Sequence, residues 1–377
     1  MNDRSEKIRN LSVPLLSVVF GLVLGSILML LFGYNPIAAY SSMVNASLGS
    51  ERAIGETLRQ ATPLIFTALG FAVANSAGFF NIGLSGQALC GWVVSVWVGL
   101  SFPDLPKAIL LPMCIILGAL AGAIAAAIPG ILRAFFGTSE VIVTIMMNYI
   151  LLYLSTFFLH EGMPESFRSS LDSSNQISQN ASLRLPWLTQ MFGGSRVNGG
   201  LILAILALVL VWVLMKKTTL GYEIRSVGLN PFASEYAGMS SKRTIILSMV
   251  ISGTLAGLGG VVEGLGTYQN FFVQTTSLAI GFDGMAVALL GSGSSIGILL
   301  SALLFSILKI GGLGMQTGAG VPFEVVNVSI ALIIYFVGIN YLIRLLLAKV
   351  WPGKKEEYIV ETVESKPANQ DQEGGAL

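Results

Sequence analysis

The sequence predicts an all-α, polytopic membrane protein of about ten transmembrane helices, arranged as two five-helix halves. Three observations carry that expectation. Only 11% of the 377 residues are charged and the mean hydropathy is +0.76, whereas a soluble domain carries about 25% charged residues. Apolar runs recur near the roughly 20 residues that a helix needs to cross hydrocarbon. A glycine motif returns 198 residues after its first appearance. So little charge cannot cover a soluble surface, which excludes a cytosolic enzyme, a nucleic-acid binder and a disordered chain. Cys90 and Cys114 lie in apolar runs and imply no disulfide framework, and His160 is the sole histidine, which argues against a metal site or a Ser-His-Asp triad.

In chain order, segment 1–12 is polar and the first span covers Val13–Gly33. That span is too long and too poor in a cleavage site for a signal peptide, so it is expected to persist as a helix. Ala61–Ala77 and Gln87–Ser101 follow, separated by glycines. Ala108–Leu132, Val141–Leu159, Gly200–Met215 and Ile245–Leu265 are clear spans. Leu278–Leu290 and Ile296–Gly311 are shorter, and Val325–Leu347 closes the transmembrane region, 13–347. Ten crossings put both termini on one face. Counted that way, fourteen Lys and Arg fall on the terminal side and six on the other, with Lys309 inside a span. The positive-inside rule makes the terminal side cytoplasmic. The longest outer loop is then 161–199, rich in Ser and Asn, and the acidic tail 348–377 is expected to be disordered.

The repeated motif reads Ile82-Gly83-Leu84-Ser85-Gly86-Gln87-Ala88-Leu89 and again Ile280-Gly281-Phe282-Asp283-Gly284-Met285-Ala286-Val287. Ser139-Glu140-Val141-Ile142 opens the fifth span as Phe323-Glu324-Val325-Val326 opens the tenth. Five spans per half turn the second half upside down, the inverted repeat common among transporters. Gly83, Gly86, Gly281 and Gly284 are candidate helix breaks, which membranes tolerate only beside protein or a watery cavity. Close helix packing is the other reading of the same glycines. The first break fits either a cytoplasmic turn or a kink at membrane depth.

The inner loop 216–243 is patterned. Asn230 is a good N-cap, Pro231 suits the first helical position and Gly238 suits the residue after the last turn. Phe232, Glu235, Tyr236 and Ala237 then lie on a short capped helix at the membrane surface. Its apolar knob suits force transmission from a soluble partner, or an ordinary interfacial helix.

Four ordered motifs carry a family resemblance. They are Phe80–Gln87, Glu140–Tyr149, Arg225–Pro231 with Tyr236-Ala237-Gly238, and Gly281–Gly291. From about residue 10 to 347 the chain closely resembles the bacterial ABC importer permeases of the simple-sugar and nucleoside branch, related to ribose and branched-chain amino-acid permeases. Within that branch it is similar to the larger permease of nucleoside uptake systems. The resemblance implies ten spans in a bacterial plasma membrane with both termini inside, and a second, often different, permease subunit. It also implies an extracytoplasmic binding protein, often a lipoprotein, that delivers ligand, and a cytoplasmic ATPase docked on the inner loop, where Arg225 and the Asn230–Gly238 helix would meet it. ATP and Mg would sit on that ATPase, with no cofactor on this chain. The family usually carries Glu where this chain has Ser85, which leaves that position's role open. Leu84-Ser85-Gly86-Gln87 looks faintly like the signature of the ATPases themselves, but no phosphate-binding G-x-x-x-x-G-K-[ST] occurs.

Ionisable groups at membrane depth cost about 2.5–3.5 kcal/mol on insertion scales, so each invites a functional reading. Asp283 is a candidate pathway or helix-break residue, or an N-cap. Glu263 is expected to face either the pathway or the outer interface, and Lys309 to snorkel or meet a carboxylate. Glu140 and Glu324 fit first-turn dipole partners. A nucleoside needs amides and hydroxyls beside aromatic faces. Asn75, Asn81, Gln87 and Asn148 supply amides, and Tyr268–Phe272 supplies rings, unless that run is an interfacial belt. The rival expectation is an ion-coupled secondary transporter, with Glu263 and Asp283 as its core carboxylates.

Overall fold

The computed structural model describes residues 19–338. The predicted terminal segments 1–12 and 348–377, together with 13–18 and 339–347 of the outermost spans, lie outside the described residues. The chain is a helical bundle: α1 (Val19–Leu31), α2 (Pro36–Leu48), α3 (Glu51–Ser76), α4 (Leu84–Ser101), α5 (Lys107–Phe136), α6 (Glu140–Phe157), α7 (Pro186–Met191), α8 (Gly200–Lys217), α9 (Thr219–Leu229), α10 (Pro231–Tyr236), α11 (Ser241–Val262), α12 (Ala279–Leu290), α13 (Ser295–Ala319) and α14 (Phe323–Gly338). Helix covers every predicted apolar stretch within the described residues. Six helices are long and apolar enough to cross a membrane: α4, α5, α6, α8, α11 and α13, with α6 and α11 extended by π-turns at Phe158–Gly162 and Glu263–Tyr268. α1, α12 and α14 are shorter apolar helices.

α2 and α9 lie outside the predicted spans. Asn35 caps α2 by accepting from the Ile37 and Ala38 amides, and Pro36 holds its first position. α2 then packs Ser42, Met43 and Ala46 onto Gly318, Gly311 and Gly314 of α13.

α3 is buried on every side from Ala61 to Ala74, as a helix apolar all round must be. α4 and α11 complete the centre. α5 carries Gly118 and Gly122, and α11 carries Gly253 and Gly257, so two small-xxx-small pairs face each other. Added Cβ atoms at Gly122 and Gly253 would strike the opposite backbone, and one at Gly91 of α4 would strike Gly257. Backbones therefore touch where lipid gives no hydrophobic drive for side-chain burial. A second core joins α1, α2, α13 and α14 through Met29, Met43, Leu308, Met315 and Val326.

The Ser/Asn-rich loop 161–199 is ordered by main-chain bonds. A hairpin, β1 (Arg168–Ser170) with β2 (Ser173–Ser174), lies beside the segment after α11. Ser174, Ile177 and Leu183 donate amides to Phe271, Gln269 and Leu265 carbonyls at 2.8, 2.8 and 3.1 Å. The loop is thus bonded to the end of α11, a pairing no local composition could announce.

Candidate functional site

The chain reverses after α3. Gly78 adopts φ +82, and its backbone lies against Gly228 of α9. Residues 79–83 then run back without helix until α4 starts at Leu84. The reversal lies beside α9, and the returning strand enters the bundle between α6 and α11. Gly83 stands at the N-cap of α4, where the break falls.

A break inside a membrane bundle frees backbone groups that must find partners in the protein. Asn81, Asn148 and Thr144 supply them. Asn81 Oδ1 accepts from Gly83 N–H at 2.9 Å and from Gln87 Nε2 at 3.2 Å, while its Nδ2 donates to Gln87 Oε1 at 3.0 Å and Ser252 Oγ at 2.9 Å. Asn148 of α6 accepts from Gly86 N–H and donates to the Ile82 carbonyl, both at 2.8 Å. Thr144 accepts from Ile82 N–H at 3.3 Å. Asn81, Gln87 and Asn148 were expected to line a pathway, and the structure brings the three together around the break. All three are buried, and their bonds serve the break itself. Thr144 and Ser252 were not foreseen. Thr144 and Asn148 stand four apart in an apolar helix, a signal for one shared polar face; Ser252 offered none. Asn75 is exposed at the end of α3.

Gly86, Gly281 and Gly284 are not helix breaks. α4 runs unbroken through Gly86, and α12 runs unbroken through Gly281 and Gly284. Each glycine admits a neighbour: Asn148 and Leu151 at Gly86, Ser85 at Gly281, Thr67 at Gly284. The two repeated motifs therefore meet. Ser85 donates to the Leu278 carbonyl at 2.8 Å and Thr67 to the Ile280 carbonyl at 2.9 Å, both at the start of α12.

Asp283 is corrected as well. It lies within α12, neither at a break nor at the N-cap, which is Leu278. Its carboxylate is paired with Lys309 of α13, and both side chains are partly buried. Glu263 is placed by burial and by its neighbours. It is buried at the start of the π-turn in the field of Arg59, and one carboxylate oxygen makes no hydrogen bond among the described residues. Tyr268–Phe272 packs around one buried ring. Tyr268 stacks on buried Trp92 at 5.0 Å, Phe271 and Phe272 meet it edge-on, and Trp92 Nε1 donates to the Asn270 carbonyl. Arg184 of the outer loop donates to the carbonyls of Gly266 and Thr267, which the π-turn leaves open, and its burial lowers its pKa. Glu140 opens α6 and pairs with Arg133 at 3.4 Å, and Glu324 lies in the first turn of α14.

At the same end as the reversal, Asn230 caps α10 by accepting from Ala233 N–H at 3.0 Å, and Pro231 occupies its first position. Gly238 follows with φ +84. Ser234 is buried, whereas Phe232 and Tyr236 are 75% and 96% exposed, and Arg225 and Glu235 are also exposed. α10 thus holds two large rings outward on a helix fixed at both ends.

Comparison with known proteins adds independent findings. Residues 53–363 match the family described as branched-chain amino acid transport system / permease component. The chain is 54% identical over 359 residues to the nucleoside ABC transporter permease protein NupB of Lactococcus lactis subsp. cremoris (strain MG1363), covering 95% of this chain and 98% of that one. It is 45% identical over 345 residues to the guanosine ABC transporter permease protein NupP of Bacillus subtilis (strain 168), covering 92% and 98%. It is also 29% identical over 261 residues to NupC, a second nucleoside ABC transporter permease protein of the same Lactococcus strain, covering 67% and 80%. No solved structure matches the chain.

Proposed function

Because this chain belongs to the branched-chain amino acid transport system / permease component family, we propose that it is the membrane subunit through which an ATP-binding-cassette importer passes nucleosides into the cell. One observation carries the substrate: 54% identity to a nucleoside permease protein across nearly the full length of both chains. The finer reading is ten crossings in two inverted halves, with both termini cytoplasmic in a bacterial plasma membrane. The meeting of the two glycine motifs and the excess of Lys and Arg at the α9–α10 end support it. A second, different permease subunit is expected, because one Lactococcus strain has both NupB and NupC, and both resemble this chain.

In this reading a separate ATPase binds ATP and Mg and pushes on α10. α9 carries the push to the reversal at Gly78, and α4 and α12 shift against each other at Ser85 and Gly281. An extracytoplasmic binding protein delivers ligand to the face bearing loop 161–199. The ion-coupled alternative loses support from the pairing of Asp283 with Lys309, which removes one of its two free carboxylates.

Nucleoside uptake in cells with and without this chain tests the proposal. Uptake should require it and should continue under an uncoupler while ATP is held constant. Collapse under that uncoupler would overturn it. A ligand screen on the cognate binding protein tests the substrate class.

A further inference from the structure

We infer that a cavity between the end of α5 and the start of α11 binds the headgroup of an anionic phospholipid. The cavity holds about 450 Å3 and is lined by Phe135, Ser240, Lys242, Arg243, Ile246 and Leu247. Phe135 lies in the last turn of α5, and Lys242 and Arg243 lie in the first turn of α11. Both helices are long and apolar enough to cross a membrane, so the cavity opens at headgroup depth.

Its chemistry is divided. Lys242 and Arg243 are exposed and make no ion pair among the described residues. Lys242 holds its ammonium 5.4 Å from the centre of the Phe135 ring. Ser240 is the N-cap of α11, yet its hydroxyl makes no capping bond and is free to donate to a phosphate oxygen. Phe135, Ile246 and Leu247 form an apolar floor beneath these polar groups.

Continuity with the lipid face selects a lipid over a soluble anion. Leu120, Ile124, Ile128 and Ile131 are exposed along α5 and lead to Phe135. An acyl chain lying on that stripe places its phosphate between Lys242 and Arg243. Basic pockets between membrane helices recognise anionic headgroups in this way, by charge beside an apolar wall.

The test uses the full-length chain with its co-purifying subunits, in nanodiscs of phosphatidylcholine with or without phosphatidylglycerol, read by native mass spectrometry and thermal unfolding. The parent should retain phosphatidylglycerol over phosphatidylcholine. Lys242→Ala with Arg243→Ala should lower that preference roughly tenfold or more. Lys216→Ala with Lys217→Ala, away from the cavity, should leave it intact, and unfolding temperature in phosphatidylcholine should not change. Phe135→Ala should also weaken retention, because it removes the floor without changing charge. Equal retention in the Lys242/Arg243 variant would overturn the site. So would insensitivity to Phe135→Ala, which would mean diffuse attraction to a basic surface. Displacement by inorganic phosphate as readily as by short-chain phosphatidylglycerol would overturn the lipid assignment.

Discussion

Asn81 shows how a polar residue at membrane depth can have its whole bonding capacity spent on the fold. It is fully buried, and its amide serves Gly83, Gln87 and Ser252. Asn81→Ala leaves those groups unpaired, at about 1–3 kcal/mol. Lower melting temperature and lower membrane abundance are expected, with uptake per folded molecule retained. Normal abundance with abolished uptake would instead return Asn81 to the pathway. Asp283 and Lys309 invite a double-mutant cycle. Lys309→Met strands a carboxylate among helices and should destabilise, by less than the about 3–5 kcal/mol of breaking a fully buried pair because this pair is partly exposed. Adding Asp283→Leu should recover most of the loss in thermal unfolding, because it removes the stranded charge. A double variant no more stable than the single would refute that account.

At the scale of elements, α10 was the most legible part of the chain. Its boundaries follow from Asn230, Pro231 and Gly238 acting on their own backbone, so no distant residue is needed to place them. Asn230→Ala should cost about 1 kcal/mol of local helix stability, and should weaken ATPase co-purification less than removing its exposed rings. Phe232→Ala with Tyr236→Ala should abolish both co-purification and uptake while abundance stays normal; intact co-purification would refute the coupling role. α12 was less legible. In sequence, Gly281 and Gly284 fit a break and a close approach equally well, because a missing Cβ permits both. Only the arrival of Ser85 and Thr67 from the first half selects close approach. The outer loop is a third case. Arg184→Ala removes the donor to Gly266 and Thr267, and should speed proteolytic nicking within 161–199.

For the whole molecule, glycine pairs set how near α4, α5 and α11 come to one another. Gly257→Leu would drive a side chain into Gly118 and Gly122 of α5, and should cost far more folded protein than a comparable change on the lipid-facing stripe of α5, such as Ile124→Leu. Membrane abundance after expression measures this directly. Composition and hydropathy determined that lipid is the solvent and where apolar helices form, and the Asn230–Gly238 pattern determined that one capped helix stands at the basic end. These are local or summed properties of neighbouring residues. The tertiary structure decided which glycines break a helix, where each buried amide points, and that the two repeated motifs meet. Those outcomes depend on bonds between residues far apart in the chain: Asn81 to Ser252 across 171 residues, Ser85 to Leu278 across 193. A polar group in a membrane takes whatever partner the fold brings to it, and that partner is not written beside it in the sequence.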